Sequence, residues 1–366
     1  MVNQERLLGT FLALVRIDSP SLEEEAIAHD LVGRLTSLGL TAELDAMNNV
    51  IARLAGNGEP ILLAAHMDTV MPGHGVNPQV RDGVVYSDGT TILGADDKSG
   101  LAIVLEVLET LRERSAPHPD LEVVITVQEE VGLLGAKGLD RSRLRSRLGI
   151  SFDTASAPGT IAVSAPSHSH LMAIIHGKAA HAGVSPEEGV NAIAAAARAI
   201  DRMPLGRIDA ETTANVGIVR GGVARNIVPD RVELLGEARS RDVYKLEAQT
   251  QAMISALETA AAEFGATVEA VCTRSYEGYT FDQDTPVVRR LMAACRAAGV
   301  EPVLVPTGGG SDANIFNHAG MQVVNLSTGM KMVHTLDEHV AIKDMVTCAE
   351  IVLNFLSTAV GRLTQD

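Results

Sequence analysis

Four short apolar stretches of this chain each run into an acidic or histidine-bearing segment, and that repetition is what most limits the folds open to it. The segments are His66-Met67-Asp68, Gly94-Ala95-Asp96-Asp97-Lys98, Gln128-Glu129-Glu130 and Ser151-Phe152-Asp153-Thr154; a fifth, Met332-Val333-His334, lies far downstream. Polar residues placed repeatedly at the ends of apolar strands belong to an open α/β sheet, which gathers its ligands at the carboxyl ends of its strands. Two histidines, two aspartates and one glutamate offer nitrogen and oxygen donors suited to Zn²⁺ or a similar divalent ion. A second glutamate is left over to act as a base.

The periodicities support such a sheet. Leu7, Leu8, Phe11, Leu12 and Val15 fall at helical spacing, and Ser21-Leu22-Glu23-Glu24 predicts a capping box that opens a second helix, stopped by Gly39. Strand-like runs follow at 41–45, 50–54 and 61–65, with a hairpin turning at Asp82-Gly83. An amphipathic helix is expected over Lys98–Arg114, and Leu121–Val127 reads as a strand buried on both faces. From His168 the pattern becomes a compact α+β layer, with two helices against a sheet of about four strands. For His334 to rejoin His66, that layer must be an insertion. The expected division is therefore 1–167 and 279–366 for a metal-binding domain and 168–278 for the insert.

Composition excludes several classes. A chain of 366 residues suits two domains, and 46 acidic against 30 basic residues give a net charge of −16, which disfavours nucleic acid and anionic membranes as partners. Cys272, Cys295 and Cys348 are too few and too scattered for a disulfide framework or a cysteine zinc site. No apolar run approaches the roughly 20 residues that span a bilayer, and no basic, apolar leader opens the chain. The expected setting is cytoplasmic.

Each site segment also has an ordinary reading. His66-x-Asp68 alone is a common structural pair, although Asp68 lies on the same strand face and can hold the second ring nitrogen of His66. Asp96 and Asp97 could simply cap a helix; alternatively, Asp96 could bridge two ions, its charge offsetting their repulsion. Glu129-Glu130 is the sharpest feature, since two carboxylates ending a buried strand are costly without compensation. One should bind a metal and the other take a proton from water. His168-Ser169-His170 has metal-like spacing but lies at the domain junction with no carboxylate beside it, and receives no role.

Taken together, the motifs His66-x-Asp68, Gly94-Ala95-Asp96-Asp97-Lys98, Glu129-Glu130, Asp153 and His334 resemble those of the co-catalytic zinc metallopeptidases that include tripeptidase T, glutamate carboxypeptidase and aminoacylase. The resemblance covers nearly the whole chain. Leu93–Gly100 and Gln128–Gly135 are most similar to the peptidase T-like branch.

The resemblance implies a zinc-peptidase-like α/β/α catalytic domain carrying an inserted α+β, ferredoxin-like lid and dimerisation domain. It implies two Zn²⁺ per subunit, with Co²⁺ or Mn²⁺ as substitutes: one on His66, Asp153 and a bridging Asp96, the other on Asp96, Glu130 and His334. Glu129 becomes the general acid/base, Asp68 the partner of His66, and the Asp96–Asp97 bond is expected to be cis. His181, in Gly177–Gly183, resembles the lid histidine that meets the substrate carbonyl oxygen. Asn226 and Arg239 fall where relatives contact substrate; the loop carrying Gly309 and Ser311 precedes a helix, and its backbone amides could grip a carboxylate or simply form a C-cap and turn. The implied activity is removal of the N-terminal residue from small peptides by a homodimer paired through the insert. A deacylase, dipeptidase or carboxypeptidase of the same family is the alternative, and a non-catalytic binding protein on the same fold a remote one. Two departures stand against tripeptidase T itself: the chain is short, and the Gly308–Asp312 loop differs.

Overall fold

The structure is a computed structural model that describes residues 1–360, with side chains through residue 358. Residues 361–366, which the sequence reading placed in the metal-binding domain, lie outside the described residues. The chain forms two compact units. The first comprises Met1–Val163, Phe281–Pro306 and the chain from Ser311 onward; the second comprises Ser164–Thr280 and Thr307–Gly310.

The first unit is built on a mixed sheet. Its strands lie in the order Thr41–Leu44, Val50–Leu54, Leu121–Thr126, Ile61–His66, Leu148–Ser151, Gln322–Leu326 and Thr160–Ala165. The central pairings are parallel: Ile61–His66 lies between Leu121–Thr126 and Leu148–Ser151, which in turn pairs with Gln322–Leu326. Every residue of Ile61–His66 and Leu121–Thr126 is buried, as expected for parallel strands covered on both faces. Register sets the strand ends almost level, with His66 opposite Thr126 and Ala64 opposite Ser151. A carboxylate or imidazole just beyond any of these strands therefore arrives at one edge.

The helix Ala95–Arg114 departs from the amphipathic pattern expected of it. It is buried along most of its length because it packs on Ile61–His66 and against the helices Gln4–Val15 and Ile342–Val360. Its buried Glu106 is compensated by Arg6, at 2.7 Å from Nε and 2.9 Å from Nη2, and by the Asn3 amide at 2.7 Å. The Ser21 capping box does not form either. Leu22 turns left-handed at φ 79°, and the helix begins at Glu25 with no side-chain cap, because Ser21 donates its hydroxyl to Asp68 instead.

The second unit is an antiparallel sheet of five strands, in the order Gly206–Arg207, Thr212–Gly221, Arg231–Ser240, Ser167–His176 and Thr267–Tyr276. The helices Ala192–Arg202 and Val243–Glu263 bury Ala195, Ala199, Met253 and Leu257 against Leu171, Ala173, Val232 and Leu234. This is the α+β layer that the alternating patterns predict, with one short edge strand more than expected.

Gly100 lets the helix Ala95–Arg114 approach the sheet. A Cβ there would stand 2.5 Å from the Cβ of Phe152 and 2.4 Å from Asp97 Oδ1. Gly100→Ala is expected to cost about 1–3 kcal/mol, read as a lower denaturant midpoint at unchanged slope. A midpoint equal to that of the parent would show that the helix shifts freely.

Candidate metal centre

The strand ends deliver the predicted residues to one place. His66 closes its strand, Glu129 and Glu130 follow Leu121–Thr126, and Asp153 follows Leu148–Ser151. Asp96 enters at the start of the helix Ala95–Arg114, where the Asp96–Asp97 peptide is cis. Capping falls to Asp97, whose Oδ1 accepts from the Gly100 amide at 3.2 Å. His334 arrives from beyond the short strand Met330–Lys331. Gln128, Met332 and His334 hold left-handed φ values of 53°, 53° and 64°. Such backbone strain in non-glycine residues clusters where surrounding structure fixes a site.

Asp96 stands between the two histidines. Its Oδ1 lies 3.1 Å from His66 Nε2 and its Oδ2 lies 3.4 Å from His334 Nε2. Glu130 Oε1 lies 2.9 Å from the same His334 nitrogen. Three groups of donor atoms lie mutually within 4.8 Å: His66 with Asp96 and Asp153, Asp96 with Glu130 and His334, and His66 with Glu129 and Glu130.

Asp68 acts differently from the expectation. The closest contact of His66 Nδ1 is the Asp68 backbone carbonyl at 2.9 Å, with the carboxylate at 3.5 Å. The carboxylate instead accepts from the backbone amides of Glu129 at 2.9 Å and Glu130 at 3.2 Å, and from the Ser21 hydroxyl at 2.7 Å. Burial raises its proton affinity, but His66, Ser21 and the Glu129 amide outweigh that and hold it below the usual aspartate value.

Glu129 and Asp153 are pushed the opposite way. Burial, reinforced by the charge of Asp153, lifts Glu129 well above the usual glutamate range. Burial and the charge of Asp96 raise Asp153 to about 8. Burial alone would also raise Asp96, but His334 and His66 draw it down. Asp96 and Glu130 in turn raise His334 to about 10. A divalent ion fits this set. Carboxylates crowded and buried together are costly in ionised form, a cation neutralises them, and the donors are the nitrogen and oxygen atoms such ions accept.

Three residues escaped the sequence reading. Glu338 accepts from the amides of Leu93, Gly94 and Asp96, Glu24 accepts from the Gln128 amide at 3.0 Å, and Ser21 holds Asp68. Only Ser21 and Glu24 carried a signal, and it was spent on the capping box.

The remaining predicted residues divide. Ser311 is buried as the cap of the helix Asp312–His318. Its hydroxyl accepts from Ala313 N and Asn325 Nδ2, and its amide donates to Asn314. Gly309 is exposed, with its amide donated to Thr307 Oγ1 at 3.1 Å. In the second unit, His181 and Asn226 are both exposed and their segments pair, through a His181–Ile227 bridge and the Ala182 amide on the Asn226 carbonyl at 3.0 Å. Arg239 Nη2 lies 3.1 Å from Glu237, and the same carboxylate lies 3.1 Å from His168 Nε2. His168 thus does have a carboxylate beside it. It comes from the neighbouring strand, which sequence proximity does not reveal.

This geometry can be set beside known proteins. The family model described as Peptidase family M20/M25/M40 matches residues 62–358. The chain belongs to this family. It is 43% identical to the Bacillus subtilis protein YqjE over 98% of this chain and 100% of that one. A solved structure of aminopeptidase PepT from Bacillus cereus superposes with a TM-score of 0.89 at 42% identity, covering 98% of this chain and 99% of that one. A tripeptidase from Staphylococcus aureus gives 0.93 at 41% identity, with the same coverage. The M20 chain is thus a peptidase-family hydrolase, and its length is no departure from these relatives. Among the described residues, no helix is long and apolar enough to cross a membrane.

The charge balance has a measurable consequence. Asp153 and Glu129 keep protons in the folded chain at a pH where the unfolded chain has lost them, and His334 keeps its proton longer too. Between about pH 5 and pH 8 the folded state therefore carries more protons than the unfolded one, and stability falls as pH rises. Asp68 and Asp96, both held low, act in the opposite sense only below roughly pH 4. After chelation the Tm is expected to drop across the higher interval, and adding a divalent cation should reverse the drop with release of protons. A Tm that rises with pH in chelator would contradict this balance.

Proposed function

We propose that this M20 chain is a dinuclear zinc aminopeptidase that removes the N-terminal residue of tripeptides. The observation that carries the two-ion reading is Asp96, with one carboxylate oxygen toward each histidine. His66, Asp96 and Asp153 would hold one ion, and Asp96, Glu130 and His334 the other. Zn²⁺ is the expected metal, with Co²⁺ or Mn²⁺ as substitutes for the same donors. Bound there, such ions supply Lewis acidity, which brings the pKa of water toward about 7 and polarises a carbonyl oxygen.

The chain's own groups do the rest. Glu129 lies within ligand distance of His66 and Glu130, but its proton affinity and its pairing set it apart. Glu130 is already paired with His334, whereas the carboxyl of Glu129 is lifted by burial toward the range of a working base. Glu129 takes a proton from the attacking water and returns it to the departing amine. Asp68 fixes where Glu129 sits by accepting its backbone amide. His181 stabilises the developing negative charge on the carbonyl oxygen. Asn226, Arg239 and the loop of Gly309 and Ser311 contact the peptide, the planar guanidinium of Arg239 suiting a terminal carboxylate. A homodimer paired through the second unit and a cytoplasmic setting complete the reading.

The likeness to aminopeptidase PepT and to the Staphylococcus aureus tripeptidase favours a free peptide over an acylated substrate. The discriminating experiment offers the zinc-loaded protein a tripeptide and its N-acetylated twin. Cleavage of the free peptide alone is the expected result; cleavage of the acetylated form alone would make the protein a deacylase. Cleavage of neither would favour a binding protein on this fold. Glu129→Ala is expected to retain metal and fold while kcat falls about 10²- to 10⁴-fold. Near-parental turnover in that variant would remove Glu129 from the base role.

A further inference from the structure

We infer that Glu338 is a positioning residue that sets how tightly Asp96, Glu130 and His334 hold a divalent ion. The inference rests on reading those three side chains as ligands. Glu338 is 1% exposed, and both its oxygens are in use: Oε2 accepts from the amides of Leu93 and Gly94, each at 2.8 Å, and Oε1 accepts from the Asp96 amide at 3.0 Å. Gly94 supplies the left-handed turn, at φ 73°, in this run of amides that converge on one carboxylate. The acceptor lies 242 residues along the chain from Asp96.

What singles out Glu338 is the company it keeps. It lies four residues after His334, in the segment that brings that histidine to Asp96 and Glu130. One carboxylate therefore fastens the backbone of the bridging aspartate to the segment bearing the last imidazole. Glu130 is fastened separately, by its amide to Asp68. The two segments are also joined by the Ser99–Thr328 hydroxyl pair at 2.7 Å, but Glu338 grips the Asp96 amide itself. A ligand constellation has to be held to about half an ångström by its supporting shell, and outer-shell partners of this kind govern metal affinity by about 10- to 100-fold.

Glu338→Gln tests this with little change in shape. One amide oxygen can still serve Leu93 and Gly94, but the amide nitrogen then meets the Asp96 N–H donor to donor. Zn²⁺ affinity and stoichiometry would be measured by competition with a chromophoric chelator, with circular dichroism and Tm in chelator as folding controls. The expected result is a folded variant that binds the more weakly held Zn²⁺ about 10- to 100-fold less tightly, with Glu338→Asp intermediate. A purely structural role would lower Tm and leave the affinity of the remaining folded protein unchanged, and that outcome overturns the inference. Should Glu338→Gln fail to fold, Glu338→Asp is judged by the same criterion, parental affinity again overturning it. Failure of the underlying ligand reading looks different: the parent itself would bind fewer than two ions, and His334→Ala would bind as many as the parent.

Discussion

Three stretches of chain meet on the carboxylate of Asp68. It accepts the amides of Glu129 and Glu130, which begin the turn after one central strand, and the hydroxyl of Ser21 from the N-terminal region, while its own backbone carbonyl faces His66 Nδ1. Parallel strands bring residues to a common edge but leave the loops beyond them free to choose a conformation. Asp68 removes that freedom. Its backbone carbonyl holds the imidazole on its own strand and its carboxylate holds the two glutamates on the next, so one residue sets the positions of all three side chains. The anion is affordable because its donors outweigh the burial that would otherwise neutralise it.

The same low-dielectric setting makes the rest of the cluster electrostatically expensive. Asp153, Glu129, Glu130 and Asp96 gather around two imidazoles, and the groups respond by splitting their proton affinities, some acids rising while Asp96 and Asp68 fall. Pairs of titratable groups driven apart in this way are a mark of acid/base sites. Burial pushes Asp153 and Glu129 toward the protonated form, whereas the histidines beside Asp96 and the donors around Asp68 outweigh burial and keep those two ionised.

Much of this was legible in the sequence because the relevant signals are local. Apolar runs ending in His66, Glu129 and Asp153 revealed both the strands and the edge they share, and the glycine-bounded Asp96 segment marked a helix start. What escaped was long-range. Glu338 has no periodicity or motif to separate it from any glutamate in a polar loop; only the fold shows it beneath Leu93, Gly94 and Asp96. Ser21 and Glu24 carried a true signal with a misleading meaning, because a capping box and a pair of site anchors use the same residue types. His168 looked isolated because Glu237 reaches it across a strand pairing. Ser311 stands before a helix, where a serine can cap it or meet a ligand, and the sequence does not reveal that its hydroxyl serves as the cap.

The spacing of the site along the chain also governs when it can exist. His334 and Glu338 follow His66 by 268 and 272 residues. At about 5–20 residues per second, synthesis separates them by on the order of tens of seconds. Throughout that interval the strands bearing His66, Glu129 and Asp153 can pair, but the segment closing around Asp96 has not been made. A nascent chain at that stage lacks the histidine that faces the second carboxylate oxygen of Asp96 and the carboxylate that accepts its amide. Assembly of the full cluster therefore waits on the segment that carries His334 and Glu338.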